Sequence, residues 1–382
     1  MATRRTSILF LLTSALQVTD NEVVALLARG MSREFFEGVT TSDVLRLLVT
    51  YPIGAALAPL LITTLWPSLR PTRAVLYGLA LIAMSQGAMC FSPSLEVAML
   101  LRAVAGAGSG ILAYALLHSA ANEGAALVTA MTVGFLLGMV AGVPLSALIV
   151  GFTGIVGFYA VLAALSSLLL FAHVLRDRRM ADEPPWPTPP KRFLHLLRAP
   201  VYARALLASV LVAAAIGAPM ALFPTALQTD GALSLSQVGV VYLVAGLGPL
   251  LAWPVTSRVL RRFGAWQAAR IGAATLALPL LLLPMSAATA ISATILLFAA
   301  LWVETLRRSA MQHHVATLAE GPDRARFLAV RNVLTYLGIA LGRLGASLLP
   351  GSSALLLASL LGAGLALASS ALPPAGRNST AK

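Results

Sequence analysis

Residues 176–200 read RDRRMADEPPWPTPPKRFLHLLRAP, and five of the seven positions from 184 to 190 are proline. So dense a proline run favours extended, solvated backbone, and the basic residues on either side of it keep the stretch in water. We read 176–202 as a linker. Outward from it the chain changes character, because a bilayer core about 30 Å thick asks for about 20 apolar helical residues, and runs of that length follow one another with only charges, Pro and Gly between them. Six precede the linker, at 6–28, 41–66, 74–92, 95–119, 125–150 and 154–175. Six follow it, at 203–226, 234–257, 266–286, 288–312, 326–349 and 352–372. The reading is an all-α polytopic membrane protein of 12 transmembrane helices in two pseudo-symmetric six-helix bundles, 1–175 and 203–372, with a short tail at 373–382.

Composition agrees and excludes the other classes. Of 382 residues 58% are apolar and 11% charged; counting Gly and leaving out Tyr raises the apolar share to about 64%, against about 45–50% in soluble proteins. A soluble enzyme or nucleic-acid-binding domain does not hide that much apolar surface, and Cys90 is the only cysteine, so no disulfide scaffold forms within the chain. The runs are also far longer than the roughly 10-residue alternating strands of a membrane barrel. The net charge of +13 has a topological explanation: nineteen of the 27 Lys and Arg fall on the side of the chain ends and only Arg29 and Arg33 on the other, while Arg46, Arg102, Arg307, Arg308, Arg331 and Arg343 fall within spans. By the positive-inside rule both termini and the linker are cytoplasmic. No nucleic acid is needed to account for the basicity. The first span is too long for a signal peptide and lacks a small-residue cleavage site. Within the linker, KRFLHLLR fits a short surface helix as well as a plain soluble tether.

Four segments carry recognisable patterns. The fourth span holds LLRAVAGAGSG (Leu100 to Gly110), which sets Arg102, Gly106 and Gly108 in an Arg-x-x-x-Gly-x-Gly arrangement. The fifth holds GFLLGMVAGVPLSALI (Gly134 to Ile149), where spaced glycines run into Gly-x-Pro; the first contains TDNEVVALLARG and the second VTYPIGAALAPLL. Together these resemble the major facilitator superfamily, and more closely its drug:proton antiporter branch of sugar-efflux and arabinose-efflux-like permeases. The resemblance covers nearly the whole chain and places Glu22 on the branch's first-helix acid. It departs at the loop between the second and third spans, where TTLWPSLRPTR lacks the family's Asp. In the second half Arg262, Phe263 and Gly264 keep the pattern, with Arg261 where an acid belongs. The Trp-Arg that follows the fifth helix in the sugar-efflux branch is replaced by a segment running from Gly154 to Gly157.

Gly134, Gly138 and Gly142 stand four apart and so share a helix face, and Pro144 then interrupts the hydrogen-bond ladder. Two readings stand: ordinary small-residue packing, or the bending and sealing element that the resemblance implies for an antiporter. Charges within spans are a sharper signal, since each costs about 2.5 kcal/mol or more unless paired or facing water. Asp20 and Arg102 lie about 12 Å and about 10 Å below the outer boundary at 1.5 Å per residue, so Asp20 is a candidate partner for Arg102. Glu22, two residues on, faces another way, and by the resemblance it is the carboxylate of the central cavity. Asp20, Glu22 and Arg102 are the candidate proton-coupling residues; a static ion pair joining two helices is the other reading.

Glu304 precedes Arg307 and Arg308 at the spacings that let one acid neutralise either base on one helix face. Arg331 and Asn332 enter from the same side. These residues form either a structural network between the tenth and eleventh helices or an acid–base cluster that sets substrate charge preference or gates the inner mouth. Arg343 has no acid within a turn on its own span; it either faces the cavity, where it would attract an anionic group, or takes a partner such as Glu22 or Glu304 from another helix, and with Glu304 it joins the candidate substrate-cavity residues. Asp43 and Arg46 read as a boundary pair. Gln17, Asn21, Tyr51, Gln86, Tyr114, Trp302 and Tyr336 are candidate cavity liners, because polar and aromatic groups within spans face a bundle interior. His118, His173, His195, His313 and His314 lack the i, i+4 spacing of a helical metal pair, so no metal is expected. No phosphate-binding loop or nucleophile motif appears.

These readings predict a secondary active transporter, not an enzyme, that rocks two bundles about a midplane cavity and exports a small organic molecule, whether drug, sugar or metabolite, in exchange for protons. It would need no cofactor, work as a monomer, and sit in a bacterial inner membrane with lipid, substrate and protons as partners. Six Arg against five acids within the spans leave room for an anionic substrate. An uptake symporter or facilitator of the same fold, and a non-transporting scaffold or sensor, are the alternatives.

Overall fold

The computed structural model of the chain describes residues 2–36, 38–66, 69–91, 94–123, 125–177, 199–318, 322–349 and 353–373. Most of the linker, with His195 and the KRFLHLLR stretch, lies outside the described residues, as do the tail from 374 and the side chain of His118. All regular structure among the described residues is helical. In the first half α1 is Ala2–Gly30, α2 Leu47–Leu65, α3 Pro71–Met89 and α4 Leu95–Glu123. Helix α5 begins as Ala125–Leu137, passes through the π-helical turn Gly138–Gly142 and continues to 153, and α6 covers 155–177. In the second half α7 is Pro200–Thr229, α8 runs as Leu235–Ala245 and Leu247–Phe263, α9 is Ala265–Ser286, α10 Ala290–Leu318, α11 Pro322–Leu348 and α12 Ala354–Ala371.

Among the described residues ten stretches are long and apolar enough to cross a membrane. One of them, Ala130–Arg176, is 47 residues long and is two helices, because Gly154 takes φ 70° and turns the chain between α5 and α6. Only a residue without Cβ adopts that conformation cheaply. Helix α3 lies outside those ten yet packs along α4 and α6, so twelve crossing helices stand among the described residues. Their ends have ordinary local causes. Pro71 and Pro200 open α3 and α7, where a missing N–H costs nothing. Ser234 and Gln237 close a capping box at the start of α8, and Gly264 at φ 74° separates α8 from α9. Several helices outrun their apolar segments, α1 starting at Ala2 and α4 reaching Glu123. Hydropathy marks the lipid, whereas backbone hydrogen bonding continues beyond it.

Small residues set how the helices sit on one another. A Cβ on Gly134 would strike the Leu11 carbonyl and one on Gly138 the Ala15 carbonyl, while one on Gly142 would strike the Thr19 hydroxyl, so the glycine stripe of α5 lies directly on α1. The second half repeats the arrangement, with Gly338 and Gly342 of α11 on the Val210 and Ala214 carbonyls of α7. We call the side on which α1 begins the near side. Toward the far side one continuous apolar core joins the halves, taking in Val23 to Ala28 of α1, Ala218 to Leu227 of α7, Val238 and Val241 of α8, and Ala346 of α11. On the near side the second half keeps a core of its own, built from Ala205, Ala269, Met311 and Phe327 among others. The halves are joined at the far side and hold separate cores at the near side.

Candidate functional site

Asp20 follows Thr19, which the α5 stripe pins, and its carboxylate turns into the first bundle. Arg102 stands one turn before Gly106 on α4, where the absent Cβ lets the Tyr51 carbonyl of α2 come against the helix. That approach sets the Tyr51 ring 4.4 Å from the Arg102 guanidinium. Arg102 donates from one nitrogen to Asp20 Oδ1 at 2.5 Å and from the other to the Asp20 carbonyl at 2.8 Å. Gln86 of α3 donates to the same Oδ1 at 2.5 Å. Both members of the ion pair are fully buried, and Asp20 Oδ2 and Arg102 Nε make no hydrogen bond among the described residues. An ion pair so enclosed is costly to form and costlier to break by halves, since the survivor is left charged in apolar surroundings.

Two residues along α1, about 200° round the helix, Glu22 points out of the first bundle and meets Arg343 of α11. Arg343 donates to the two carboxylate oxygens at 2.9 and 3.0 Å. Its second terminal nitrogen reaches Asn21 Oδ1 at 3.1 Å and the Leu48 carbonyl of α2 at 3.3 Å. The Arg343 side chain is 5% exposed and that of Glu22 29%. Glu22 is thus the open member of a pair that ties the halves together. On its near side Gln17 donates to the Ser109 hydroxyl and carbonyl at 2.6 and 2.7 Å, the Tyr51 hydroxyl donates to the Gln17 carbonyl at 3.4 Å, and Tyr336 of the second half lies near Ser109. On its far side the chain is sealed. Val23 to Ala28 are buried, Gln228 of α7 donates to the Leu26 carbonyl at 3.0 Å, and Arg29 donates to the Gln228 carbonyl. Gly239 of α8 lies against Pro144, and Gly246 against Val140 of the π-helical turn.

A second charge group lies deeper on the near side, on α10. Arg307 donates to Glu304 at 2.6 and 2.8 Å and Arg308 at 3.1 Å. The Arg308 side chain is 37% exposed and sits 4.6 Å over the Phe135 ring of α5, across the space between the halves. Arg331 of α11 donates to Ser209 at 3.3 Å and lies within electrostatic range of all three α10 charges.

The structure therefore brings Gln17, Asn21, Glu22, Tyr51, Tyr336 and Arg343 together, with Asp20, Arg102 and Gln86 behind them inside the first bundle. Trp302 and Tyr114 are partly exposed, Trp302 packing on the Val212 and Leu276 core of the second half and Tyr114 against the main core. Gly134, Gly138 and Gly142 serve the contact of α5 with α1, and Pro144 that of α5 with α8. Arg262 and Gly264 lie exposed at the near end of α8. Asp43 and Arg46 pair at 3.1 Å at the boundary. Ser109, Tyr242, Phe135 and the Arg29–Gln228 contact escaped the sequence reading. Ser109 sits in a run of small residues and Gln228 at the end of a span, where a polar residue is unremarked.

The family model described as Major Facilitator Superfamily matches residues 10–343. No curated protein matches the chain. Among solved structures the chain is similar to the nucleoside transporter NupG, at 16% identity and a TM-score of 0.70 with 97% of each chain covered. It is also similar to a D-xylose-proton symporter, at 13% identity and a TM-score of 0.77, covering 98% of this chain and 99% of that one. A peptide transporter POT in complex with alafosfalin gives 14% identity and a TM-score of 0.73 over 95% and 92% of the two chains. Identities this low speak for the fold.

Proposed function

The chain belongs to the Major Facilitator Superfamily, and on that premise we propose that this multi-pass membrane transporter moves a small organic molecule by proton coupling, working as a monomer in a bacterial inner membrane with the near side cytoplasmic. The observation that carries the reading is the Glu22–Arg343 pair. Among the described residues it is the one ion pair in which a partly exposed carboxylate of the first half holds a nearly buried guanidinium of the second. A proton on Glu22 removes the charge that Arg343 answers, and the link between the halves weakens. Because α1 also carries Asp20, a shift of α1 is passed to Arg102 inside the first bundle. Alternating access then needs only the rocking of one bundle against the other.

Two directions follow from different features. Export in exchange for protons is supported by GFLLGMVAGVPLSALI, similar to the antiporter signature, and by the π-helical turn that it forms at Gly138–Gly142. Cotransport is supported by a D-xylose-proton symporter among the structural relatives. Proteoliposomes carrying the wild type or Glu22→Gln, given a pH gradient and a panel of sugars, nucleosides, organic acids and lipophilic drugs, test the reading. A panel member should move protons in the wild type and not in Glu22→Gln, and the direction of its flux separates the two cases. A transported compound whose flux ignores both the gradient and Glu22 would remove proton coupling from the account.

A further inference from the structure

A guanidinium presents a planar fork of donors that fits a carboxylate or phosphate in two-point contact. In Arg343 that fork is filled by Glu22 on one nitrogen and by Asn21 and the Leu48 carbonyl on the other. The exposures differ in a telling order. Arg343 is enclosed and Glu22 is not, so anything arriving from the space between the halves meets Glu22 first and reaches the guanidinium only by taking the carboxylate's place. The far route is closed by Val23 to Ala28 and the Gln228 contacts. On the near side of the pair lie Arg308, whose partly exposed side chain leans across to Phe135, and the neighbouring Arg307 and Arg331, with Glu304 as the one acid among these four. Three Arg against one Glu make an approach that attracts negative charge.

We infer that the substrate is a small organic anion whose carboxylate or phosphate head replaces Glu22 on Arg343, and that it loads together with a proton on Glu22. This deepens the transport reading above and rests on it. Arg343 holds one anionic partner at a time, either Glu22 or the substrate, and leaving it with none would strand a buried charge. The exchange is balanced: Glu22 gains the proton and becomes neutral, the substrate head takes over the N–H donors that Glu22 gave up, and the net charge of the pair is conserved. Among the described residues the other groups shown facing Glu22 are hydroxyls and an amide, namely Tyr242 of α8, Tyr336 of α11 and Asn21 beside it. Asp20 faces the opposite way into the first bundle. Protons and substrate therefore favour each other's binding, which is the sign required of cotransport and the reverse of antiport. For a monoanion the loaded site carries no added charge.

The test is binding by the purified full-length protein in detergent, followed by calorimetry in buffers of different ionisation enthalpy, with benzoate, lactate, succinate and glucose 6-phosphate as anionic probes and xylose and uridine as neutral ones. The first three and the fourth separate a carboxylate head from a phosphate. Expected is binding of at least one anion with uptake of about one proton, its affinity falling about tenfold per pH unit once Glu22 is ionised. Arg343→Gln should weaken that binding on the order of a hundredfold. Glu22→Gln, which keeps the guanidinium and removes its competitor, should bind the anion with no pH dependence, and it decides the matter even if Arg343→Gln does not fold. Binding of the neutral probes alone, of no probe at all, or of an anion whose affinity in the wild type ignores pH overturns the inference. An anion that binds with its proton but never crosses a reconstituted membrane sinks the transport reading and leaves this site assignment standing.

Discussion

In the first six helices the enclosed acid and base stand on different helices, Asp20 on α1 and Arg102 on α4, whereas in the second six Glu304, Arg307 and Arg308 share α10. The difference is one of what each pair can sense. Residues three and four apart on a helix stay neighbours for as long as the helix exists, whatever its neighbours do. A pair between two helices exists only while those helices keep their relative position. The first bundle therefore carries a charge contact that reports on the placement of α1, and the second bundle carries one that does not. Glu22 and Arg343 form a third kind, which exists only while the halves are together.

That ordering can be broken by measurement. The largest effect on stability is expected for Asp20→Ala, which leaves Arg102 buried without its acid; unfolding of the detergent-purified protein should show a loss of about 3–5 kcal/mol, most of it recovered in Asp20→Asn combined with Arg102→Gln. A loss as small as that of a surface pair would mean that the Asp20 contact is no strut. Glu304→Gln comes next. It removes charge-assisted bonds from Arg307 but leaves Arg308 able to reach water, so about 1.5–3 kcal/mol is expected by the same assay. Adding a methyl group where each half seats its fifth helix on its first, Gly138→Ala on α5 and Gly338→Ala on α11, should cost about 1–3 kcal/mol apiece through overpacking. Similar values for the two would support the internal repeat, and a large disparity would count against it. Smallest is Glu22→Gln, expected to change stability by about 1 kcal/mol or less because its carboxylate is partly solvated. The same substitution should abolish proton-linked flux, so the least structural of the five single changes is the most functional.

How much of this was legible in the sequence depends on the range over which each feature is decided. The apolar runs, their interruption at the linker and the one-sided Arg distribution are local sums, and they gave the membrane class and the twelve crossings. The α10 group was legible for the same reason, since Glu304, Arg307 and Arg308 are placed by one helix alone. The depth match of Asp20 and Arg102 was legible because rise per residue is constant. Rotation was not. The sequence reading put Gln86 among the cavity liners, and the fold turns it onto Asp20 inside the first bundle.

By itself, then, the chain's order of residues determined what dissolves in lipid, where the chain turns between crossings, and which charges share a helix. Only the tertiary structure decided that Arg343 takes Glu22, 321 residues away, and not Glu304. It also decided that the far side is where the halves meet in a common core. The physical reason is that a helix buried among equally apolar neighbours and lipid gains little from hydrophobicity in choosing its rotation or its partner. That choice falls to close steric contact, such as α5 on Leu11, Ala15 and Thr19, and to the few charges that cannot be left alone.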